Sequence, residues 1–235
     1  MSTTLLEIKI PAIFSVVPEI KILLKNINLS IPKTGLHALI GSSGSGKSLF
    51  FSILTGTKFK SVLIDKKASI TVNDDLVLSM DEYNSFIKRK KFFYLFIDQN
   101  YNQALDENLT VRENILLLNK QITIEEINSI FNEFNLTTKI LYSKIKEISG
   151  GQLQRFVLIT TLLLPKTPEL IILDEVTSAL DYENEVIIWK ILTKISKKCS
   201  IIVTTHNLNL AVFFANSFFT IKNKEVNLVF REDDE

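Results

Sequence analysis

Over the first 80 residues apolar side chains recur at alternate positions or in short β-branched runs. Leu5–Ile10, Ile20–Ile31, Val62–Ile64 and Ser69–Val77 are therefore predicted strands, since successive side chains of a strand face opposite sides. Pro11, Pro18 and Pro32 mark turns or strand edges, because proline brings no N–H to a ladder. The run Leu36–Ile40 is apolar apart from His37, as in a buried strand, and Ser48–Thr55 behind it reads as a helix. Phe92–Ile97 reads as a further buried strand. From about residue 100 to Pro165 the period becomes helical: Thr123 and Glu126 frame a capping box, and Ile124, Ile127, Phe131 and Phe134 follow at helical spacing. Beyond Pro168 the order is strand (Leu170–Leu173), helix (Glu183–Ser196), strand (Ser200–Thr204), helix. That alternation predicts a parallel sheet with helices packed on it. No internal repeat interrupts the pattern, and Arg231–Glu235 reads as a solvated tail.

Composition narrows the class. Hydrophobic residues are 46% and charged residues 23% of the 235, which excludes a disordered chain and suits one unit carrying an inserted lobe. Lys+Arg 27 against Asp+Glu 26 leaves +1, which does not suit a basic nucleic-acid binder. A single cysteine excludes an internal disulfide, no Cys/His cluster offers a zinc site, and the chain is expected to be cytosolic. Mean hydropathy is +0.20, yet no run reaches the roughly 18 apolar residues of a membrane span. Phe92–Ile97 is broken by Tyr94, and Phe156–Leu164 by Thr160 and Thr161. The opening residues lack a basic stretch leading into an apolar one, so no secretion signal is expected. Any membrane contact is expected to run through other chains.

Glycine is scarce, 7 in the whole chain, and five of the seven fall in two clusters. Gly41, Gly46, Lys47 and Ser48 fit G-x-x-x-x-G-K-[ST] between a predicted strand and a predicted helix. In such a loop the backbone of Gly41, Ser42, Ser43, Gly44, Ser45, Gly46, Lys47, Ser48 and Leu49 wraps phosphates at a helix N-terminus. Lys47 reaches the β- and γ-phosphates, and the Ser48 hydroxyl ligates Mg2+. Asp174 leaves the strand Leu170–Leu173 at its C-terminal edge, where open α/β sheets bind ligands, and is expected to hold Mg2+ through water. Glu175 follows and points elsewhere, toward a water molecule. His206 lies just beyond the strand ending at Thr204. In the second cluster Ser149 caps a helix running to Leu164, and Gly150 and Gly151 leave its amides bare for an anion, ahead of Gln152. Gly35 reads as a turn and Gly56 as a helix C-cap; His37, Cys199 and Trp189 read as core residues.

Taken together, the loop at Gly41–Ser48, the Ser149–Gln152 cap, Asp174-Glu175 and His206 resemble the ABC ATPase family over nearly the whole chain, in the family's order. The resemblance implies an α/β fold with a P-loop NTPase core, a mostly parallel sheet, an N-terminal antiparallel β-subdomain and an inserted helical subdomain. One domain would span 1–235, with core and β-subdomain at about 1–98 and 166–235 and the helical subdomain at about 99–165. By the same resemblance Gln99 looks like the Q-loop glutamine, contacting Mg2+ and the attacking water, so that Ser48, Gln99 and Asp174 surround the metal. Ser178–Asp181 match the D-loop, and Phe14 is the candidate aromatic for adenine. Ile148 stands for the usual leucine, Val176 for proline after Glu175, and Asn207 where aspartate often follows the histidine. None of these removes a group the mechanism needs.

The family mechanism implied is an ATP sandwich, with the P-loop of one subunit and the Ser149–Gln152 helix of another enclosing each nucleotide. Glu175 would polarise the lytic water, His206 contact the γ-phosphate, and Lys47 with Mg2+ offset developing charge. ATP and Mg2+ are the implied cofactors. A second ATPase subunit, identical or different, and transmembrane permease subunits are the implied partners, with a solute-binding protein if transport is inward, and no nucleic acid. The chain would then sit in the cytoplasm at the inner face of the membrane. The alternative is a soluble family member acting in ribosome function, repair or cluster assembly; such members carry two ATPase units or long insertions, and this chain shows one set. Leu105-Asp106, Ser149–Phe156 and Asp174–Asp181 resemble peptide- and nickel-importer ATPases, with other importers or an exporter as alternatives.

Overall fold

In the structure, a computed structural model describing residues 4–57, 61–74, 76–89, 92–98, 105–177 and 180–230, the alternating N-terminal runs pair as antiparallel strands. β1 (Thr4–Ser15) and β2 (Lys21–Pro32) lie side by side from Thr4↔Pro32 to Ser15↔Lys21. Along the other edge of β1, β5 (Ser69–Val72) pairs with Leu6–Lys9 and β4 (Val62–Ile64) with Ile13–Ser15. Pro11 does not end the strand as expected. It falls in the gap between those two pairings, where its missing N–H costs no ladder bond on that edge.

The expected strand Ser69–Val77 is instead a hairpin. Asn73 and Asp74 take left-handed angles, φ 53° and 63°, and β6 (Leu76–Ser79) returns antiparallel on β5. Both residue types tolerate that region through local side-chain hydrogen bonds. A helix the periodicity did not announce, α2 (Met80–Lys88), follows at once. Its capping box is complete: the Ser79 amide donates to Glu82 Oε2 at 2.8 Å, and the Ser79 Oγ accepts from the Glu82 amide.

β3 (Gly35–Ile40), β7 (Tyr94–Ile97), β8 (Leu170–Leu173), β9 (Ser200–Thr204) and β10 (Ser217–Lys222) form the parallel part, in the order β10-β3-β9-β8-β7. β7 was expected to be buried and is an edge strand, with Phe96 41% exposed. β11 (Glu225–Phe230) turns back on β10 through Asn223 and Lys224, both at positive φ, and meets β2 at Glu225↔Lys25. The antiparallel and parallel parts are thereby one continuous sheet of 11 described strands.

α1 (Lys47–Leu54), α3 (Val111–Leu118), α4 (Ile124–Glu133), α5 (Gly150–Leu163), α6 (Tyr182–Ile195) and α7 (Leu208–Phe214) complete the fold, with 3₁₀ turns at Thr138–Tyr142 and Ile145–Glu147. Alternation along the central strands sorts side chains into two cores. Leu36, Ala38, Ile171, Leu173, Ile201 and Val203 face a core covered by α3 to α7, whereas Leu39, Leu170, Ile172 and Ile202 face one shared with α1, α2 and the antiparallel strands. Trp189, Cys199 and His37 are buried, as expected. His37 Nδ1 lies 2.7 Å from Ser217 Oγ, its Nε2 has no partner among the described residues, and burial pushes its pKa down to about 4. No described helix is long and apolar enough to cross a membrane.

Candidate active site

The loop between β3 and α1 is shaped by its glycines. Gly44 and Gly46 have φ of 74° and 112°, in the left-handed range that side chains disfavour. Gly46 is the N-cap of α1 and brings no side chain to its amides, so the first turn is left bare for an anion. Within the loop Ser45 N donates to Ser42 O at 3.1 Å. Lys47 Nζ folds across it, donating to Gly41 O at 2.8 Å and Ser42 O at 3.2 Å. A cleft of about 490 Å³ opens in front, lined by Ser43, Gly44, Gly46, Lys47, Ser48, Leu49, Asp98, Asp174 and Glu175. Asp98 was not singled out from the sequence. It could have been, because it follows the last residue of β7 just as Asp174 follows the last residue of β8.

Asp174 still belongs to the sheet ladder, its amide donating to Ile97 O at 2.8 Å. The side chain accepts from Thr204 Oγ1 at 2.8 Å. Burial pushes its carboxyl above the usual range; the Thr204 bond opposes this, neighbouring Glu175 and Asp98 raise it further, and Lys47 lowers it. An all-oxygen set of hydroxyl and carboxylates, Ser48 and Asp174 with Asp98 beside them, matches what Mg2+ accepts, and its excess negative charge is what a divalent cation offsets.

Glu175 turns sharply off the strand with φ 53°, a costly angle for a residue with a side chain. Thr204 holds it there, accepting the Glu175 amide at 2.7 Å. Thr204 thus fixes both acids at once, a role the sequence reading missed. Glu175 Oε1 lies 3.2 Å from His206 Nε2. His206 and Glu175 also border a second cleft of about 550 Å³, together with Thr177, Leu180, Glu185 and Asn207. Glycine loop, Asp174, Glu175 and His206 therefore meet at one sheet edge, as their strand-end positions predicted.

The other expected residues lie elsewhere. Ser149 caps α5, its Oγ accepting the Gln152 amide at 3.3 Å while Gln152 Oε1 accepts the Ser149 amide at 3.0 Å. Ser149 and Gly150 are exposed, and none of Ser149–Gln152 lines the cleft before the P-loop. Asp181 caps α6 through the Asn184 amide at 2.9 Å, and Asn184 Oδ1 accepts from Arg155 of α5 at 2.7 Å. The bonds from Asn184, backbone first, hold the Asp181 carboxyl below its usual range. Phe14 is half-buried near the end of β1, paired with Ile22 and Leu63. Gln99, Ser178 and Ala179 lie outside the described residues.

Similarity to known proteins agrees with this geometry. A family model described as ABC transporter matches residues 24–178. A probable ABC transporter ATP-binding protein, p29, of Mesomycoplasma hyorhinis is 34% identical over 214 residues, which is 87% of this chain and 82% of that protein. The phosphonates import ATP-binding protein PhnC of Fusobacterium nucleatum is 31% identical over 224 residues, 88% of this chain and 85% of that protein. Among solved structures, a bacterial ABC transporter cassette determined as a dimer is 25% identical with a TM-score of 0.69, covering 97% of this chain and 100% of that one. The chain belongs to the ABC transporter family, as an ATPase domain that uses ATP with Mg2+.

Proposed function

We propose that this transporter ATPase hydrolyses ATP with Glu175 as the base and His206 as its γ-phosphate contact, at a site closed by a second ATPase domain. The observation that carries this reading is the 3.2 Å approach of Glu175 Oε1 to His206 Nε2 beside a cleft lined by Lys47, Ser48 and Asp174. The bare amides of Gly46 to Leu49 and the Lys47 ammonium bind and orient the phosphates. Lys47 exchanges its bonds to Gly41 O and Ser42 O for phosphate oxygens when ATP enters. Ser48 and Asp174, with Gln99 from the segment after Asp98, would hold Mg2+, which supplies positive charge against the phosphates. Glu175, fixed by Thr204 and His206, accepts a proton from water, and His206 stays aimed at the group that water attacks.

Support for the second domain is the exposure of Ser149 and Gly150, with Gly151 and Gln152 half-buried and none of the four lining the cleft before the P-loop of their own chain, along with the dimeric state of the related cassette. Phe14 is the candidate adenine contact. Permease subunits, and a solute-binding protein if transport is inward, would complete a membrane-bound system with this chain at the inner face. Glu175→Gln tests the hydrolytic role. It should retain ATP binding and lose turnover by about 10³-fold, within the usual range for a general base; turnover near wild type overturns the assignment.

For cargo, Leu105-Asp106, Ser149–Phe156 and Asp174–Asp181 support an importer of the peptide or nickel type. The likeness to PhnC favours phosphonate import as a second reading. Uptake of labelled nickel, a dipeptide and a phosphonate in cells carrying Glu175→Gln separates them: the cargo whose uptake fails is the one this motor drives.

A further inference from the structure

Glu185 is a carboxylate 8% exposed on α6, between the segments that follow Glu175 and His206. Its Oε1 accepts from Thr177 Oγ1 at 3.1 Å, and Trp189 Nε1 approaches the same oxygen at 3.5 Å. Its Oε2 accepts from Asn207 Nδ2 at 2.9 Å. Thr177 is two residues past Glu175, and Asn207 is the residue after His206. The other end of the Asn207 side chain caps α7, its Oδ1 accepting the Leu210 amide at 3.3 Å. One buried side chain therefore ties together the two backbone segments whose preceding residues meet as Glu175 and His206.

We infer that Glu185 is a positioning residue for hydrolysis, holding the Glu175 and His206 segments in register through Thr177 and Asn207. The inference rests on the reading of Glu175 and His206 as the catalytic pair. Glu175 needs such support because its backbone sits at φ 53°; a segment released at Thr177 relaxes toward ordinary angles and withdraws the carboxylate from His206. The polarity of the bond to Asn207 is specific. Glu185 only accepts, and Asn207, whose oxygen is engaged by α7, must donate. That polarity can be reversed. With glutamine at 185 and aspartate at 207, the amide Nε2 donates to one aspartate oxygen, the other oxygen still caps α7, and the glutamine Oε1 still accepts from Thr177.

The test is steady-state ATP hydrolysis by the full chain, with kcat and KM measured separately. Glu185→Gln sets an amide donor against the Asn207 donor or, with the amide flipped, against the Trp189 Nε1 donor, and Asn207→Asp sets two carboxylates together. Each should lower kcat by about 10-fold with KM for ATP within about 2-fold, since a misaligned base affects the chemical step and not binding. The double variant Glu185→Gln/Asn207→Asp should recover to within about 3-fold of wild-type kcat. A merely structural role moves melting temperature but gives no such recovery. Folded single variants with wild-type kcat, or losses that multiply in the double variant, overturn the inference. Should Glu185→Gln not fold, Thr177→Val opens the same clamp from the other side and must show the same kcat loss. Glu175→Gln run alongside separates the failures: turnover surviving there removes the catalytic pair itself, whereas a dead Glu175→Gln beside fully active Glu185 and Thr177 variants removes only the clamp.

Discussion

Gly46 and Gly151 both stand at the start of a helix, and their surroundings differ. At Gly46 φ is 112° and an added Cβ would lie 3.0 Å from Leu24 Cδ2; at Gly41 it would lie 2.5 Å from Ser45 Oγ. The chain's own backbone and packing account for these P-loop glycines. Gly150 and Gly151 are ordinary helical residues of α5: among the described residues a Cβ at Gly150 meets nothing within 4 Å, and one at Gly151 meets Leu180 Cδ2 at 3.8 Å, an ordinary contact. In a helix alanine is better than glycine by up to about 1 kcal/mol. Packing among the described residues therefore gives no reason for two glycines here, in a sequence that holds 7 in 235 residues. The proposed source of the demand lies outside the chain, in the nucleotide held by a second domain.

Four substitutions or conditions sharpen that contrast. The largest effect is expected from Gly151→Val, which should cut turnover by about 10² to 10³-fold, the scale of losing one stabilising donor. Calorimetric melting and ATP binding by the single chain should not change. The next concerns β3, which feeds the P-loop. His37 titrates near 4 when folded against 6.5 when free, so between those pH values only the unfolded chain takes the proton. Stability from this group is full above pH 6.5 and falls as pH drops toward 4, by about 3 kcal/mol in total. Urea midpoints across that window should show the slope in wild type and lose it in His37→Phe. Gly46→Ala comes third. It should destabilise the fold by about 1 to 2 kcal/mol from left-handed strain alone, and weaken ATP binding as well. The smallest effect has the opposite sign: Gly150→Ala should stabilise by up to about 1 kcal/mol. A lower melting temperature in that variant would mean that α5 itself needs the glycine.

The P-loop was legible because its spacing is rigid and its glycines stand out against a glycine-poor background. Asp174 and His206 were legible because each ends or follows an unbroken apolar strand. Long-range residues were not. Thr204 meets Asp174 only because β8 and β9 pair Leu173 with Val203, a register no local pattern announces. Glu185 reaches Asn207 across 22 residues for the same kind of reason. The hairpin of β10 and β11 was missed because Leu210–Ala215 and Phe218–Phe219 are apolar runs with neither helical nor alternating period, and the short polar break at Asn216-Ser217 is the one local mark of where α7 stops. The helix α2 did carry a signal, Ser79 with Glu82, hidden behind the strand it follows. Phe14 had no such anchor, since its place depends on pairing with both Ile22 and Leu63.

The central claim is that each site needs the Ser149–Gln152 helix of another domain. Analytical ultracentrifugation of Glu175→Gln with ATP tests it most directly, alone and combined with Gly151→Val. The account predicts an ATP-dependent dimer for Glu175→Gln and a monomer that still binds ATP for the double variant. Equal dimerisation of both, or a Glu175→Gln chain that stays monomeric while saturated with ATP, would contradict it.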